Sequence, residues 1–166
     1  MSTDPLEDRV ARIHERLRKR NWKIATAESM SAGAVSAALA RVAGASNVLL
    51  GGLVCYLPEM KARLSIPPLQ LKEQGAESMA TSEGLARGLS KLVPEADVVL
   101  GITGSASPTR PDYQTSADAG WIFVCIGIHS SYLYYQTQVT GNRKEILEAA
   151  VLYALDCLER SLSLLD

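Results

Sequence analysis

Histidine is nearly missing from this chain: only His14 and His129 occur in 166 residues. His14 falls in a helical segment beside charged residues and His129 at a hairpin tip, so both read as surface side chains and a Ser-His-Asp triad is poorly supported. Cysteine is scarce as well. Cys55, Cys125 and Cys157 lie in apolar stretches, are odd in number and form no CxxC or Cys/His cluster. That pattern leaves a zinc site poorly supported and predicts buried, reduced thiols. Neither GxGxxG nor GxxxxGK(S/T) is present, which leaves dinucleotide and P-loop binding without support. No apolar run approaches the ~20 residues that span a bilayer, and the N-terminus begins STDPLEDR rather than with a basic region and an apolar core. A soluble, cytoplasmic protein is expected. The formal net charge of −1 and the aromatic content of 5% provide no general attraction for nucleic acid or anionic lipid, so small molecules or proteins are the expected partners.

What is present is a hydrophobic content of 47% in a length sufficient for one well-buried core, which predicts a single domain over residues 1–166. Helical and extended patterns alternate, as in an α/β layer architecture. Asp4-Pro5 starts a helix carrying Val10, Ile13 and Leu17 on one face, and Arg18-Lys19-Arg20 closes it. Strands are predicted at Trp22 to Ala27, at Ser46 to Leu57, where Gly51 and Gly52 imply a bulge or close backbone approach, and at Asp97 to Thr103. Between them fall a small-residue helix from Ala32 to Val42, a short helix after Pro58, one or two turns from Leu69 to Gln74, and a helix capped by Ser78 with Leu85, Leu89 and Leu92 on one face. Residues 104–119 are polar and lack periodicity, which makes a long loop functional or mobile. A hairpin around His129-Ser130-Ser131 and a helix capped by Asn142 with Glu145 complete the chain.

Two stretches can carry chemistry. In TAESMSAG, residues 26–33, Ser29 sits where an apolar strand ends and a helix begins. The unpaired amides of a helix start carry positive partial charge and can stabilise an alkoxide, an oxyanion or a phosphate. On position alone, the simpler reading is that Ser29 or Ser31 only caps the helix. The second stretch is Tyr56-Leu57-Pro58-Glu59-Met60-Lys61. It puts a phenol and an amine near a strand's carboxyl end, where open α/β sheets gather their ligands. A desolvated lysine can take a serine proton in place of histidine.

TAESMSAG resembles the TAES(C)(T)GG segment of the CinA C-terminal domain, the competence and damage-inducible protein family that includes nicotinamide-nucleotide amidases. The resemblance covers nearly the whole chain. GASNVLLGGLVCYLPEMKARL is similar to the family's PGAS…GGxVxYSNxxKxxLL segment, GAES at 75–78 to GAVS, GITGSASP to the (S/T)GIAGPxGG loop, and GNRKEI to GDRxxxR. It implies a three-layer α/β/α sandwich with a mixed, mostly parallel sheet of about five strands, a chain corresponding to that domain alone, and a homodimer or larger homo-oligomer. It also implies hydrolysis of nicotinamide mononucleotide to nicotinate mononucleotide and ammonia, with no metal and no cofactor. Carried onto matching positions, Ser29 is the nucleophile, Lys61 its general base and Tyr56 an assisting group. Ser31, Gly33, Thr103 and Gly104 then border the substrate, and Arg143 is the candidate for its phosphate.

This chain departs from the family pattern at several of these places. Met30, Ser31 and Ala32 replace Cys, Thr and Gly, Leu57 and Pro58 replace Ser and Asn, Glu77 replaces valine, and SASPTRPDYQ lacks the loop's glycines. Ser-Ala-Asp-Ala-Gly stands before the next strand in place of Lys-Pro-Val-Gly. Arg110 offers a compensating charge. The alternative expectation is therefore a non-catalytic or altered-specificity member that binds a ligand or a protein.

Overall fold

The structure, a computed structural model, describes residues 4–110, 112 and 114–166. Pro111 and Tyr113 of the divergent loop lie outside the described residues, as do residues 1–3. The chain folds as α1 (Pro5–Lys19), β1 (Ile24–Glu28), α2 (Ala34–Ala40), β2 (Leu49–Val54), α3 (Pro58–Arg63), α4 (Pro68–Gln74), α5 (Met79–Leu92), β3 (Val98–Gly104), β4 (Trp121–Ile128), β5 (Ser131–Gln138) and α6 (Arg143–Ser163). The five strands form one sheet in the order β2-β1-β3-β4-β5. β1 pairs in parallel with both β2 and β3, while β4 runs antiparallel to its two neighbours. Only β4 opposes the common direction, so the sheet is mixed and mostly parallel.

Helices cover both faces. Ile24, Leu100, Ile102, Val124 and Ile126 point toward α1, α2 and α6, where Val35, Leu39, Ala150, Leu155 and Leu158 complete one core. Ala25, Ala27, Val99 and Cys125 point the other way, against Leu85 and Leu89 of α5 and against Leu64 and Ile66 after α3. Alternation along β1 and β3 thus feeds two cores, as expected of strands buried on both faces. The result is the three-layer α/β/α arrangement.

Local signals account for the element ends. Asp4 caps α1 by accepting from the Leu6 amide at 2.9 Å. Asn142 and Glu145 form a reciprocal capping box on α6, and Ser78 accepts from the Thr81 amide to start α5. Three expectations change. Residues 46–57 are not one strand: a 3-10 turn at Ala45–Asn47 precedes β2, and the register jumps from Ile24↔Leu49 to Ala25↔Gly51, a bulge at Leu50 just before the paired glycines. Leu92 does not join the buried face of α5 and is 61% exposed, because the helix stops there. His14 is not a surface residue. It lies four positions after Val10 on the buried face of α1 and is fully enclosed, and burial pushes its pKa down.

The architecture brings one set of strand ends together. β1, β2 and β3 are parallel neighbours, so Ser29, Cys55-Tyr56 and Gly104-Ser105 emerge side by side at the same edge of the sheet.

Candidate active site

Glu28, the last residue of β1, organises the turn that presents Ser29. Its carboxylate is fully buried. It accepts from the amides of Gly33 (3.0 Å), Val35 (3.0 Å) and Ser36 (2.8 Å) and from the hydroxyls of Ser31 (2.7 Å) and Thr26 (3.0 Å). An anion at the start of α2 satisfies donors that would otherwise be orphaned and opposes the helix dipole. It also takes up the amides expected to hold an oxyanion. Among the described residues, the Met30 and Ser31 N–H groups are the amides of this turn left without a hydrogen bond. The turn closes through Ala32 N to Ser29 O at 3.0 Å, with Ala32 at φ 49° and Gly33 at φ 95°. Glycine suits the left-handed region, whereas an alanine there costs roughly 1 kcal/mol. Met30 leaves the turn toward Gly104, where any side chain on the glycine would strike the methionine sulfur and the Trp121 carbonyl.

Across the β1–β2 pair, Cys55 N donates to Glu28 O at 2.7 Å, which sets Tyr56 beside Ser29. Pro58 opens α3 and returns Lys61 to the same strand end. Lys61 is 1% exposed, and its Nζ donates to the Tyr56 carbonyl at 2.6 Å. Burial lowers the amine's pKa below the ordinary lysine value, and the charges of Glu77, Cys55 and Glu59 oppose that shift. Among the described residues no hydrogen bond joins Lys61 Nζ to Ser29 Oγ. The Tyr56 phenol turns outward instead, accepting from Arg143 at 2.9 Å, and the same guanidinium donates to Ser107 Oγ at 2.9 Å. Tyr56 thus supports Lys61 through its carbonyl, while its hydroxyl serves the rim.

Between these groups lies a cavity of about 350 Å³. Ser29, Tyr56, Gly104 and Arg143 line it, together with Met30, Glu77 and Arg110. Lys61 is buried on α3 and does not itself reach the lining. Ser31, Gly33 and Thr103 do not reach the lining. Ser31 and Gly33 bind Glu28, and the Thr103 hydroxyl donates to Ala76 O at 2.9 Å, holding the α4–α5 connection to the end of β3. Glu28 had no assigned role in the sequence reading. The only local signal was an acidic residue just before a small-residue helix start, and its five contacts depend on the turn's exact shape. Among the described residues no group of three or more His, Cys, Asp or Glu side chains is placed to hold a metal ion, and no helix is long and apolar enough to cross a membrane.

The fold has counterparts among known proteins. The chain is 33% identical over 147 residues to a CinA-like protein of Kosmotoga olearia, covering 88% of this chain and 35% of that protein. It is 33% identical over 152 residues to a putative competence-damage inducible protein of Streptococcus agalactiae, covering 90% and 35%. It therefore spans about a third of the length of these curated relatives. Among solved structures, the competence damage-inducible protein A of Klebsiella pneumoniae superposes with a TM-score of 0.88 at 25% identity, covering 96% of this chain and 98% of that one. A competence/damage inducible protein of Agrobacterium tumefaciens gives 0.84 at 26% identity, covering 98% and 99%. Residues 6–162 match the model of the CinA C-terminal domain, and with that match over nearly its whole length the chain belongs to the CinA C-terminal domain family.

Proposed function

We propose that the protein is an amidohydrolase that deamidates nicotinamide mononucleotide through an acyl-enzyme on Ser29. The observation that carries this reading is Lys61, a lysine withdrawn from water beside the strand end that bears a cavity-facing serine. With its pKa lowered by burial, the amine is the available base in a site without histidine. Turning from the Tyr56 carbonyl, Lys61 Nζ takes the Ser29 proton as Oγ attacks the carboxamide carbon. The Met30 amide, which takes no other hydrogen bond among the described residues, is the donor for the developing oxyanion. The proton passes to the leaving nitrogen, ammonia departs, and water, deprotonated by the same amine, cleaves the ester to release the carboxylate. Arg143, with Arg110 nearby on the lining, receives the phosphate.

A second reading is favoured by one contact. Lys61 Nζ donates to Tyr56 O rather than to Ser29, an arrangement that also suits a ligand-binding member without turnover. Ammonia release from nicotinamide mononucleotide separates the two. The amidase reading expects product from the wild type and none above background from Ser29→Ala. Binding of the nucleotide with no ammonia from the wild type establishes the second.

A further inference from the structure

Glu77 is the sole acidic side chain among the described residues that line the cavity. It comes from the connection between α4 and α5, on the layer opposite α6, which contributes Arg143. The glutamate is 9% exposed. Its Oε2 is occupied, accepting from Ser116 N at 2.8 Å and from Ser116 Oγ at 2.6 Å, and its own N–H donates to Ser116 Oγ at 2.8 Å. Oε1 takes no hydrogen bond among the described residues. One carboxylate oxygen is thus pinned by the loop and the other is free of hydrogen bonds, on a residue that lines both this cavity and the recess beside Ser116. The opposite wall carries the Arg143 guanidinium, held by Tyr56 and Ser107, and Arg110 also lines the space. A neutral ligand gains nothing from this separation of charge, and a uniformly anionic one is repelled by half of it. A ligand with a cation at one end and an anion at the other satisfies both walls.

We propose that Glu77 is a specificity-determining residue whose carboxylate selects amides carried on a cationic, pyridinium-type ring, while the arginines take the ligand's anionic group. The proposal rests on the amidase reading for the placement of the amide at Ser29. The effect of Glu77 is on binding: Lys61 is the cation already acting with Glu77, and a ring cation entering the cavity adds a second opposite charge beside a buried carboxylate with one oxygen free of hydrogen bonds.

The test is equilibrium binding in the Ser29→Ala background, where no turnover intervenes. The probes are nicotinamide mononucleotide and its reduced dihydropyridine form, which keeps the amide, ribose and phosphate but has a neutral ring. Glu77→Gln keeps the size and the acceptor for Ser116 and removes the charge. It is expected to weaken the cationic ligand ~10-fold, about 1.4 kcal/mol, and to leave the neutral one within about twofold. Ser116→Ala loosens the loop but keeps the charge, so it is expected to lower both affinities without changing their ratio. Equal losses for both ligands in Glu77→Gln, or no loss, overturn the proposal, as does failure of both ligands to bind the Ser29→Ala protein. If the Kd pattern holds but the wild type releases no ammonia, charge selection stands and the amidase reading falls. Ammonia release without the Kd pattern overturns charge selection alone.

Discussion

Burying the Lys61 amine to 1% exposure removes its hydration and returns a single hydrogen bond, from Nζ to Tyr56 O. A lysine in such a place is held against its preference for water. Because its folded pKa lies below the ordinary value, the unfolded chain binds more protons between those two values, and stability rises with pH through that window. Lys61→Met is therefore expected to abolish ammonia release while raising stability at pH 7 by about 1–2 kcal/mol, a gain that shrinks as pH approaches 10.5, measured by urea denaturation. His14 behaves in the same sense at lower pH. Its folded pKa is depressed by burial and, secondarily, by Arg18, so its contribution is intact above pH 6.5 and is lost as the pH falls below that value. Urea midpoints at pH 8 and pH 5 are expected to differ less in His14→Leu than in the wild type.

At the scale of elements, the turn after β1 depends on Glu28 more than on any residue of α2 itself. Glu28→Gln replaces one acceptor oxygen by an amide donor that faces other donors. It is expected to cost about 2–4 kcal/mol in chemical denaturation, far more than the ~1 kcal/mol expected for Asn142→Ala at the cap of α6. The contrast explains what the sequence makes legible. The Asn142/Glu145 box is contained within four consecutive residues, and so is the Ser78 cap, so both can be read without knowing the fold. The bulge at Leu50, next to the β2 glycines, is nearly as local. Glu28 is different: its meaning comes from a turn that folds the chain back over it. His14 was legible in principle, since 10, 13, 14 and 17 share one helical face, but its charged neighbours Arg12, Glu15 and Arg16 masked that spacing. Ser31, Gly33 and Thr103 illustrate the limit of carrying a motif over. They stand near the site, yet their polar groups are used by Glu28 and by Ala76 O.

On the scale of the molecule, the cavity exists because three parallel strands end together and helices from both layers rise past them. The placement of Ser29 and Tyr56 on one cavity, with Lys61 bonded to the Tyr56 carbonyl, follows from strand order and from two short motifs. The cavity's electrostatics do not, because Glu77 and Arg143 reach it from opposite layers and become neighbours only after both have packed. Arg143 ties α6 to Tyr56 beyond β2 and to Ser107 in the loop, so an anion bound there stabilises all three. Nicotinamide mononucleotide at ~100 times its Kd is expected to stabilise the Ser29→Ala protein by about 2.7 kcal/mol, read as a rise in Tm, and Arg143→Ala is expected to remove most of that rise. An equal rise in both proteins contradicts a phosphate contact at Arg143.

The central claim is that a serine presented by the β1 turn and the buried amine of α3 form one hydrolytic pair. Its most direct test is ammonia release from nicotinamide mononucleotide by the wild type, Ser29→Ala and Lys61→Met proteins, each first shown to be folded by its thermal transition. The account predicts turnover by the wild type alone. Ammonia release by folded Ser29→Ala at the wild-type rate contradicts it.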